Sequence, residues 1–176
     1  GAILWERDFG PMQKVRSFGE GSSPVVYDDR LILVRDHQGQ SFLHVLNKHT
    51  GADILEIERD EITSWSTPYL VDFNGRTQVI TNATNKVRSY DLDSGEIIWE
   101  CSGMTRNVIP SPVMDNNIVY LVSGFRGSAA LAVDISKAEG NITDTDAIVW
   151  KYDINTPYTP SPVLMDGKLY FLKSNN

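Results

Sequence analysis

"DLDSGEIIW", residues 91–99, sets a polar turn and a glycine, Gly95, at a fixed distance ahead of a tryptophan, Trp99. The stretch has companions. "NKHTGADIL" (47–55) repeats it at an offset of 44, aligning Asn47 with Asp91, Thr50 with Ser94, Gly51 with Gly95 and Leu55 with Trp99. "DISKAEGNITDTDAIVW" (134–150) is a third copy, its turn enlarged before Trp150, and "GAILW" (1–5) matches the tail of the unit, with Gly1 over Gly95 and Trp5 over Trp99. A second anchor keeps the same phase. Ser23-Pro24, Thr67-Pro68, Ser111-Pro112 and Ser161-Pro162 each open an apolar run, at spacings of 44, 44 and 50. Two independent signals on one period define a tandem repeat, which decides the architecture before any local reading does.

Inside each period the pattern is β. "PVVYDDRLILV" (24–34) is two short β-branched runs around Asp28-Asp29, and its counterparts turn at Asn74-Gly75, Asn116-Asn117 and Asp166-Gly167. Such residues suit tight hairpins because they tolerate positive φ. A third run follows in each unit ("SFLHVLN", "KVRSYDL", "AALAVDI"), then the polar turn and a fourth run ("ADILEIE", "EIIWEC", "AIVWKYD"). No segment carries a helical period. Four antiparallel strands every 40 to 50 residues predict an all-β fold, a β-propeller of four-stranded blades. In that reading the Ser/Thr-Gly turn joins the third strand to the outermost fourth, and Gly95 supplies the turn's φ. The ring at position 99 points toward the neighbouring blade. Burying about 150–250 Å² of it at roughly 25 cal/mol per Å² is worth on the order of 4–6 kcal/mol before opposing costs. Trp5, Trp99 and Trp150 are thus read as structural docking residues, with Leu55 a weaker substitute.

The spacing resembles the tryptophan-docking motif, Ala-x-Asp-x-x-Thr-Gly-x-x-x-Trp, of the pyrroloquinoline-quinone-like repeat propellers. Ala132 and Asp134 match its start; Asp91, Ser94, Gly95 and Trp99 match its body. The copies depart from it at Asn47, at Leu55 and in the turn after Lys137. The resemblance covers essentially the whole chain. It implies one of several roles: quinoprotein dehydrogenase, scaffold of the outer-membrane assembly machinery, or sensor region of a bacterial membrane kinase. It also implies a periplasmic or secreted bacterial protein. Quinoprotein dehydrogenases of this kind stack the cofactor on a vicinal Cys-Cys disulfide and bind calcium through Glu, Asn and Asp. Cys101 is the single cysteine, so no vicinal pair exists in this segment. No cofactor is expected here, and pyrroloquinoline quinone and calcium would require a site supplied by the rest of a ring.

Complete blades are expected at about 24–59, 68–101 and 112–153, with a lone outer strand at 2–9 and a partial blade at 162–173. Rings of this family usually hold about seven or eight blades, so the segment reads as part of a larger ring. A four-bladed mini-propeller and two segments pairing into eight blades are the alternatives. Unclosed edges favour self-association or the remainder of the propeller as partner. The chain opens Gly1-Ala2 with neither initiator Met nor signal peptide, and is read as an excised segment. Apolar runs are short, as at 129–133, so no transmembrane segment is encoded. A net charge of −7 argues against nucleic acid as partner.

Loops that lead into the innermost strand (18–23, 62–67, 104–111, 155–161) and those joining second to third strands (36–41, 82–86, 123–128, 174–176) should line one mouth of the channel. The ligand- or partner-binding candidates there are His37, Trp65, Lys86, Arg106, Arg126 and Tyr158. Arg106, Lys86 and Arg126 would make a cationic mouth on an acidic protein, suited to a small anionic or polar ligand or to a protein partner's carboxylates. Ordinary loop composition also yields a few such side chains. No catalytic set is suggested. His37, His44 and His49 fit no zinc spacing, and no metal site is expected. "NITDTDA" (141–147) lacks the Gly and terminal Glu of a calcium loop and reads as an inserted solvated turn. Asn82-Ala83-Thr84 and Asn141-Ile142-Thr143 are glycosylation sequons. "GFRG" (124–127) lacks the Lys-Ser/Thr of a phosphate loop. The leading expectation is a non-enzymatic scaffold that binds a protein or small ligand, with the dehydrogenase and kinase-sensor readings behind it.

Overall fold

The computed structural model describes residues 1–173, in which fifteen strands and one short 3-10 turn are formed. The first blade is β1 (Val25–Tyr27), β2 (Arg30–Arg35), β3 (Ser41–Asn47) and β4 (Asp53–Arg59); the second is β5 (Tyr69–Phe73), β6 (Arg76–Thr81), β7 (Val87–Asp91) and β8 (Ile97–Cys101). In the third, β9 (Val113–Asp115), β10 (Ile118–Ser123) and β11 (Ala129–Asp134) come first. The short β12 (Gly140–Asn141) then leaves the blade before β13 (Ile148–Tyr152) completes it. A hairpin, β14 (Val163–Met165) and β15 (Lys168–Tyr170), follows. Within each blade, strands pair antiparallel in chain order. The first residue of every β1–β2-type turn has positive φ (Asp28 47°, Asn74 52°, Asn116 50°, Asp166 51°), and Gly75 and Gly167 follow suit at 74° and 69°. The backbone thus uses the tolerance for which those Asn, Asp and Gly residues stand out in the sequence.

Blades bury their faces against one another. Ile32, Val34, Leu43 and Val45 of the first meet Val79, Tyr90 and Leu92 of the second. Ile80, Val87 and Trp99 of the second meet Val119, Leu121, Leu131 and Val133 of the third. A central sheet sandwiched this way needs few outward residues, and all five of β7 are buried. Polar links cross the same junctions. The Arg59 guanidinium, fully buried, forks onto Asp36 at 2.8 and 3.0 Å and donates to the Tyr90 hydroxyl at 2.6 Å and to Thr81 Oγ1 at 3.1 Å. Leaving either charge of such a pair uncompensated costs about 3–5 kcal/mol.

At the inner ends of the blades, the Ser/Thr-Pro anchors bond to each other from unit to unit. Ser23 N–H donates to Thr67 Oγ1 at 3.1 Å, and Ser111 N–H donates to Ser161 Oγ at 3.0 Å. One residue earlier, Ser22 Oγ donates to the Ser66 carbonyl at 3.1 Å and Ser66 Oγ to the Pro110 carbonyl at 2.9 Å. The recurring hydroxyls are inter-blade hydrogen bonds.

At the outer ends, rings meet glycines. The Trp5 ring packs on Gly51, where a Cβ would stand 2.5 Å from Trp5 Cε3, and its indole N–H donates to the Lys48 carbonyl at 2.9 Å. One unit on, Leu55 and Ile57 occupy the same relation to Gly95. Trp99 is fully buried. Its surroundings correct the reading of the third turn as merely solvated. β12 pairs in parallel with β8, with Gly140 opposite Trp99, and Ile135, Ala138, Ile142 and Ala147 join Trp99 in one core cluster. The insertion is therefore a socket built on Ile142 and Ala147, and its polar residues face water, with Asp144 near Lys151 and Asp146 near Lys137. Trp150 stays 37% exposed, its ring 6.0 Å from Tyr120 of its own blade. In every blade the third and fourth strands slip register just before the ring-bearing position. The extra residues are Ile54, Ile98 and Val149, ahead of Leu55, Trp99 and Trp150. A bulge there re-aims the side chain out of its own sheet.

Residues 2–9, expected as an outer strand, join no ladder among the described residues. They are held to the first blade by side chains: Trp5 as above, and Arg7, which donates to the Gly51 carbonyl at 3.0 Å and pairs with Asp53 at 2.7 Å. Strand pairing needs the inner strands of the same blade alongside, and the 163–170 hairpin pairs only with itself.

The motif's Asp or Asn organises each docking turn. Asp91 Oδ1 accepts the N–H groups of Asp93 at 2.9 Å and Ser94 at 2.7 Å; Asn47 does the same for His49 and Thr50, and Asp134 for Ser136. Burial alone would raise the Asp91 pKa. The Ser94 N–H, the Arg76 guanidinium and the Asp93 N–H outweigh it and hold the carboxyl below its usual range.

Trp99→Ala is expected to cost about 3–5 kcal/mol in denaturant unfolding; a loss under about 1 kcal/mol would remove the ring from its bracing role. Gly51→Ala and Gly75→Ala both meet positive φ (72° and 74°), but only Gly51 faces a ring. The first should therefore lose about 1–3 kcal/mol more than the second. Asp91→Ala should lose about 1–3 kcal/mol and Asp91→Asn less, because the amide oxygen keeps both N–H partners. Since the folded carboxyl titrates below its unfolded value of about 3.9, the ionic part of this stabilisation is intact above that value. It disappears as pH falls through the folded pKa, and Asp91→Asn should lack that acid-side decline.

Candidate functional site

The loops ahead of β1, β5 and β9 and those after β2 and β10 converge on a cavity of about 250 Å³. Arg16, Arg106 and Arg126 line it together with Phe18, Phe125 and Gln38. Phe18 also borders an adjoining cleft of about 340 Å³ whose walls include Trp65, Ile109 and Tyr158. Of the six side chains singled out from sequence, Arg106 and Arg126 share the first cavity, and Trp65 and Tyr158 share the second.

Lys86 lies outside both. It pairs with Glu100, and its N–H donates to Glu61 Oε1 at 2.9 Å. His37 is buried, and its Nδ1 accepts the N–H of Gly39 at 3.0 Å and of Gln13 at 3.2 Å, so the ring braces two loops. Burial, reinforced by Arg35, pushes its pKa down and keeps it neutral in that role. The 174–176 loop named in the sequence lies outside the described residues. Asn82 of the first sequon is buried, its amide donating to the carbonyls of Pro110 at 3.1 Å and Val122 at 3.0 Å, which leaves no room for a glycan in this fold.

Arg16, Phe18 and Phe125 escape the sequence reading. Arg16 sits on the 3-10 turn Val15–Ser17, in a stretch (10–17) ahead of the repeat-defined entry loop. Phe125 falls inside "GFRG", where it packs at a tilt on Tyr158, ring centroids 5.0 Å apart, and lies 5.3 Å beneath the Arg126 guanidinium. Aromatics flanking arginine in a channel-mouth loop are the signal that could have found it.

A lattice of small hydroxyls fixes these loops. Thr84 Oγ1 accepts the Asn107 N–H at 2.9 Å and donates to the Thr63 carbonyl at 3.0 Å, while Gln38 donates to Thr63 Oγ1 at 2.8 Å. Ser123 Oγ accepts the Thr105 N–H at 2.8 Å, Thr105 Oγ1 accepts the Phe125 N–H at 3.2 Å, and Trp65 N–H reaches the Val108 carbonyl at 2.7 Å. The indole of Trp65 donates to the Gly19 carbonyl at 2.8 Å. Three residues of the cavity wall, Arg16, Asn107 and Arg126, hold positive φ (48°, 56°, 53°), a conformation that costs of order 1–3 kcal/mol each outside glycine. Below the rim, the buried Glu61 carboxylate takes the N–H groups of Asn85 and Lys86 and the Arg88 guanidinium at 2.8–3.0 Å; burial raises its pKa, against the pull of those donors.

Charge distribution singles out the first cavity. The chain has nine arginines and an excess of acids. Arg7, Arg30, Arg59, Arg76 and Arg88 pair with carboxylates, and Arg35 donates to the Phe9 and Gly10 carbonyls. Among the described residues, the three arginines with neither an acidic nor a carbonyl partner are Arg16, Arg106 and Arg126, the three that line this cavity.

Known structures place this architecture. A europium-containing methanol dehydrogenase superimposes with a TM-score of 0.59 at 12% identity, over 86% of this chain and 27% of that one. BamB from Moraxella catarrhalis gives 0.56 at 15% identity, over 90% and 47%. The quinohemoprotein alcohol dehydrogenase from Comamonas testosteroni gives 0.55 at 16%, over 77% and 21%. The chain thus spans less than half the length of each, and the likeness is one of fold: the β-propeller. Among curated proteins no sequence matches. The model of the family described as "Outer membrane protein assembly factor BamB" matches residues 1–176, and the chain belongs to that family.

Proposed function

We propose that this chain is part of a non-enzymatic propeller scaffold whose channel mouth captures an acidic segment of a protein partner. One observation carries the reading: in an acidic protein, the three arginines that, among the described residues, have neither an acidic nor a carbonyl partner gather around a single cavity beside the exposed Phe18 and the half-buried Phe125. Guanidinium and aromatic groups dominate the energetics of protein interfaces, and a cationic patch on an anionic surface steers acidic partners toward one place. At about 250 Å³ the cavity is smaller than sites for drug-sized ligands, roughly 300–1,000 Å³. That size favours a carboxylate side chain presented by a partner over a free small molecule. The name of the matching family, an assembly factor, agrees with a protein-binding role, and a periplasmic or secreted location goes with it.

Two of the similar structures are dehydrogenases, yet the residues of this chain do not fit the quinone site that the repeat family implies. Cys101 has no cysteine neighbour to form the vicinal disulfide. It is buried between the second and third blades, where desolvation pushes its thiol up to about 12.

An acidic peptide with one aromatic residue, titrated while Trp65 fluorescence is followed, tests the reading. Arg106→Glu with Arg126→Glu should weaken binding at least tenfold and flatten its salt dependence, whereas Arg30→Glu, remote from the cavity, should change little. Equal affinity for the double variant and the unaltered protein would overturn it.

A further inference from the structure

In the middle of β3 of the first blade, His44 presents an unusual environment. Its side chain is within β3, only 2% exposed, and neither ring nitrogen has a hydrogen-bond partner. Phe9 covers one side at 4.7 Å and Phe42 stacks at 5.5 Å. A buried imidazole normally satisfies at least one nitrogen. Here Nδ1 instead points at acid. Glu56 lies directly opposite in the β3–β4 ladder, with Oε2 at 3.5 Å from Nδ1. The bulge at Ile54 brings Asp53, opposite Leu46, to the same side, and one donor atom from each of His44, Asp53 and Glu56 falls within 4.8 Å of the others.

We propose that His44, Asp53 and Glu56 form a binding site for a divalent transition-metal ion of the Zn²⁺ class. The separation supports it. Two ligands about 2.0–2.1 Å from a tetrahedral ion stand roughly 3.3–3.4 Å apart, close to the Nδ1–Oε2 distance and longer than a sound hydrogen bond between those atoms. One imidazole nitrogen and two carboxylates form a mixed N/O set that Zn²⁺ and Co²⁺ accept and that Mg²⁺ or Ca²⁺ would not select. A fourth position is left for water. Asp53 Oδ2 is held by Arg7 at 2.7 Å, which leaves Oδ1 for the ion and makes Arg7 an outer partner that orients the carboxylate. The nearby positive charge of Arg7 and Arg35 opposes a bound cation and limits its affinity. Bound there, the ion would tie β3 to β4 at the bulge, beneath the N-terminal segment that Phe9 lays over it.

The separation of the three residues in sequence conceals this site: His44 and Glu56 are twelve apart, and only the hairpin register brings them face to face. Zn²⁺ titration of the metal-stripped protein by calorimetry, paralleled by Co²⁺ absorption in the visible, tests the proposal. One equivalent should bind, with a metal-dependent rise in melting temperature. Glu56→Gln and Asp53→Asn alter half-exposed side chains and should retain the fold while weakening binding at least tenfold; His49→Gln should leave it unchanged. Absence of saturable one-to-one binding, as expected if a water bridges Nδ1 to Glu56 instead, would overturn the proposal. So would unchanged affinity in Glu56→Gln.

Discussion

A bulky side chain from one unit pressed against a glycine of the next is the contact on which this molecule is built. A four-stranded blade of about 35 residues has two faces and too little thickness to bury either by itself, so its stability is borrowed from neighbours. The glycine does two things there. It adopts the positive φ that closes the turn, 72° at Gly51 and 77° at Gly95, and its missing Cβ leaves room for the ring or branched chain of the preceding unit. Neither requirement tolerates another residue, which is why Gly51 and Gly95 stay in phase while the partner varies between Trp5 and the Leu55–Ile57 pair. The third junction solves the problem differently. With its turn enlarged, it lacks a glycine at the same offset and wraps Trp99 with Ile142 and Ala147, adding a parallel strand contact at Gly140.

The period, the strand count per unit and the hairpin turns were legible because each is encoded in residues close in sequence: Asn74-Gly75 fixes a turn by its own φ preferences, and Thr67-Pro68 marks the same point as Ser23-Pro24. The bulges at Ile54, Ile98 and Val149 were not. A bulge is a relation between two strands, and no residue type announces it. The role of the 141–147 insertion was hidden for a related reason. Its acidic tips dominate the composition, whereas the two small apolar residues that matter, Ile142 and Ala147, acquire meaning only from the indole beside them. Half of the mouth was legible on the same terms. Arg106, Arg126, Trp65 and Tyr158 lie in repeat-defined loops and were found by their phase. Arg16 belongs to a segment outside the repeat, and Phe18, at the first position of a repeat-defined loop, has Ile62 at the matching place in the next unit. Lys86 and His37 had the right positions, but Glu100 and the Gln13 and Gly39 N–H groups engage them first.

Electrostatics gives that mouth its character by subtraction. An acidic chain offers its arginines abundant carboxylates, and most accept: Arg59 and Arg88 even do so in the interior, where desolvation must be offset by several simultaneous hydrogen bonds. Arg16 and Arg126 sit on backbone at positive φ, and Arg106 directly precedes Asn107, which does too. Strain of a few kcal/mol is affordable only on a rigid base. The Thr63, Thr84, Thr105 and Ser123 hydroxyls provide it by joining loops of different blades, which preorganises the guanidinium groups rather than leaving them to be ordered on binding.

The two ends of the strands therefore divide the work. Outer ends carry the apolar docking and its glycines, and any change there is a change in stability. Inner ends are joined by the short-range bonds of Ser22, Ser66 and their anchors, which run through backbone carbonyls and specify little beyond a hydroxyl. Loops rising from that inner rim keep a few buried anchors, such as Ala83, Val108 and Asn82, and between them their outward side chains are free of the core. This separation explains how one blade architecture is shared by chains at 12–16% identity, an assembly factor and alcohol-oxidising enzymes among them. In this chain the junctions are met by a ring or a branched side chain against a glycine or a wrapped insertion, with a few hydroxyls at the inner rim, and what is presented at the mouth is arginine.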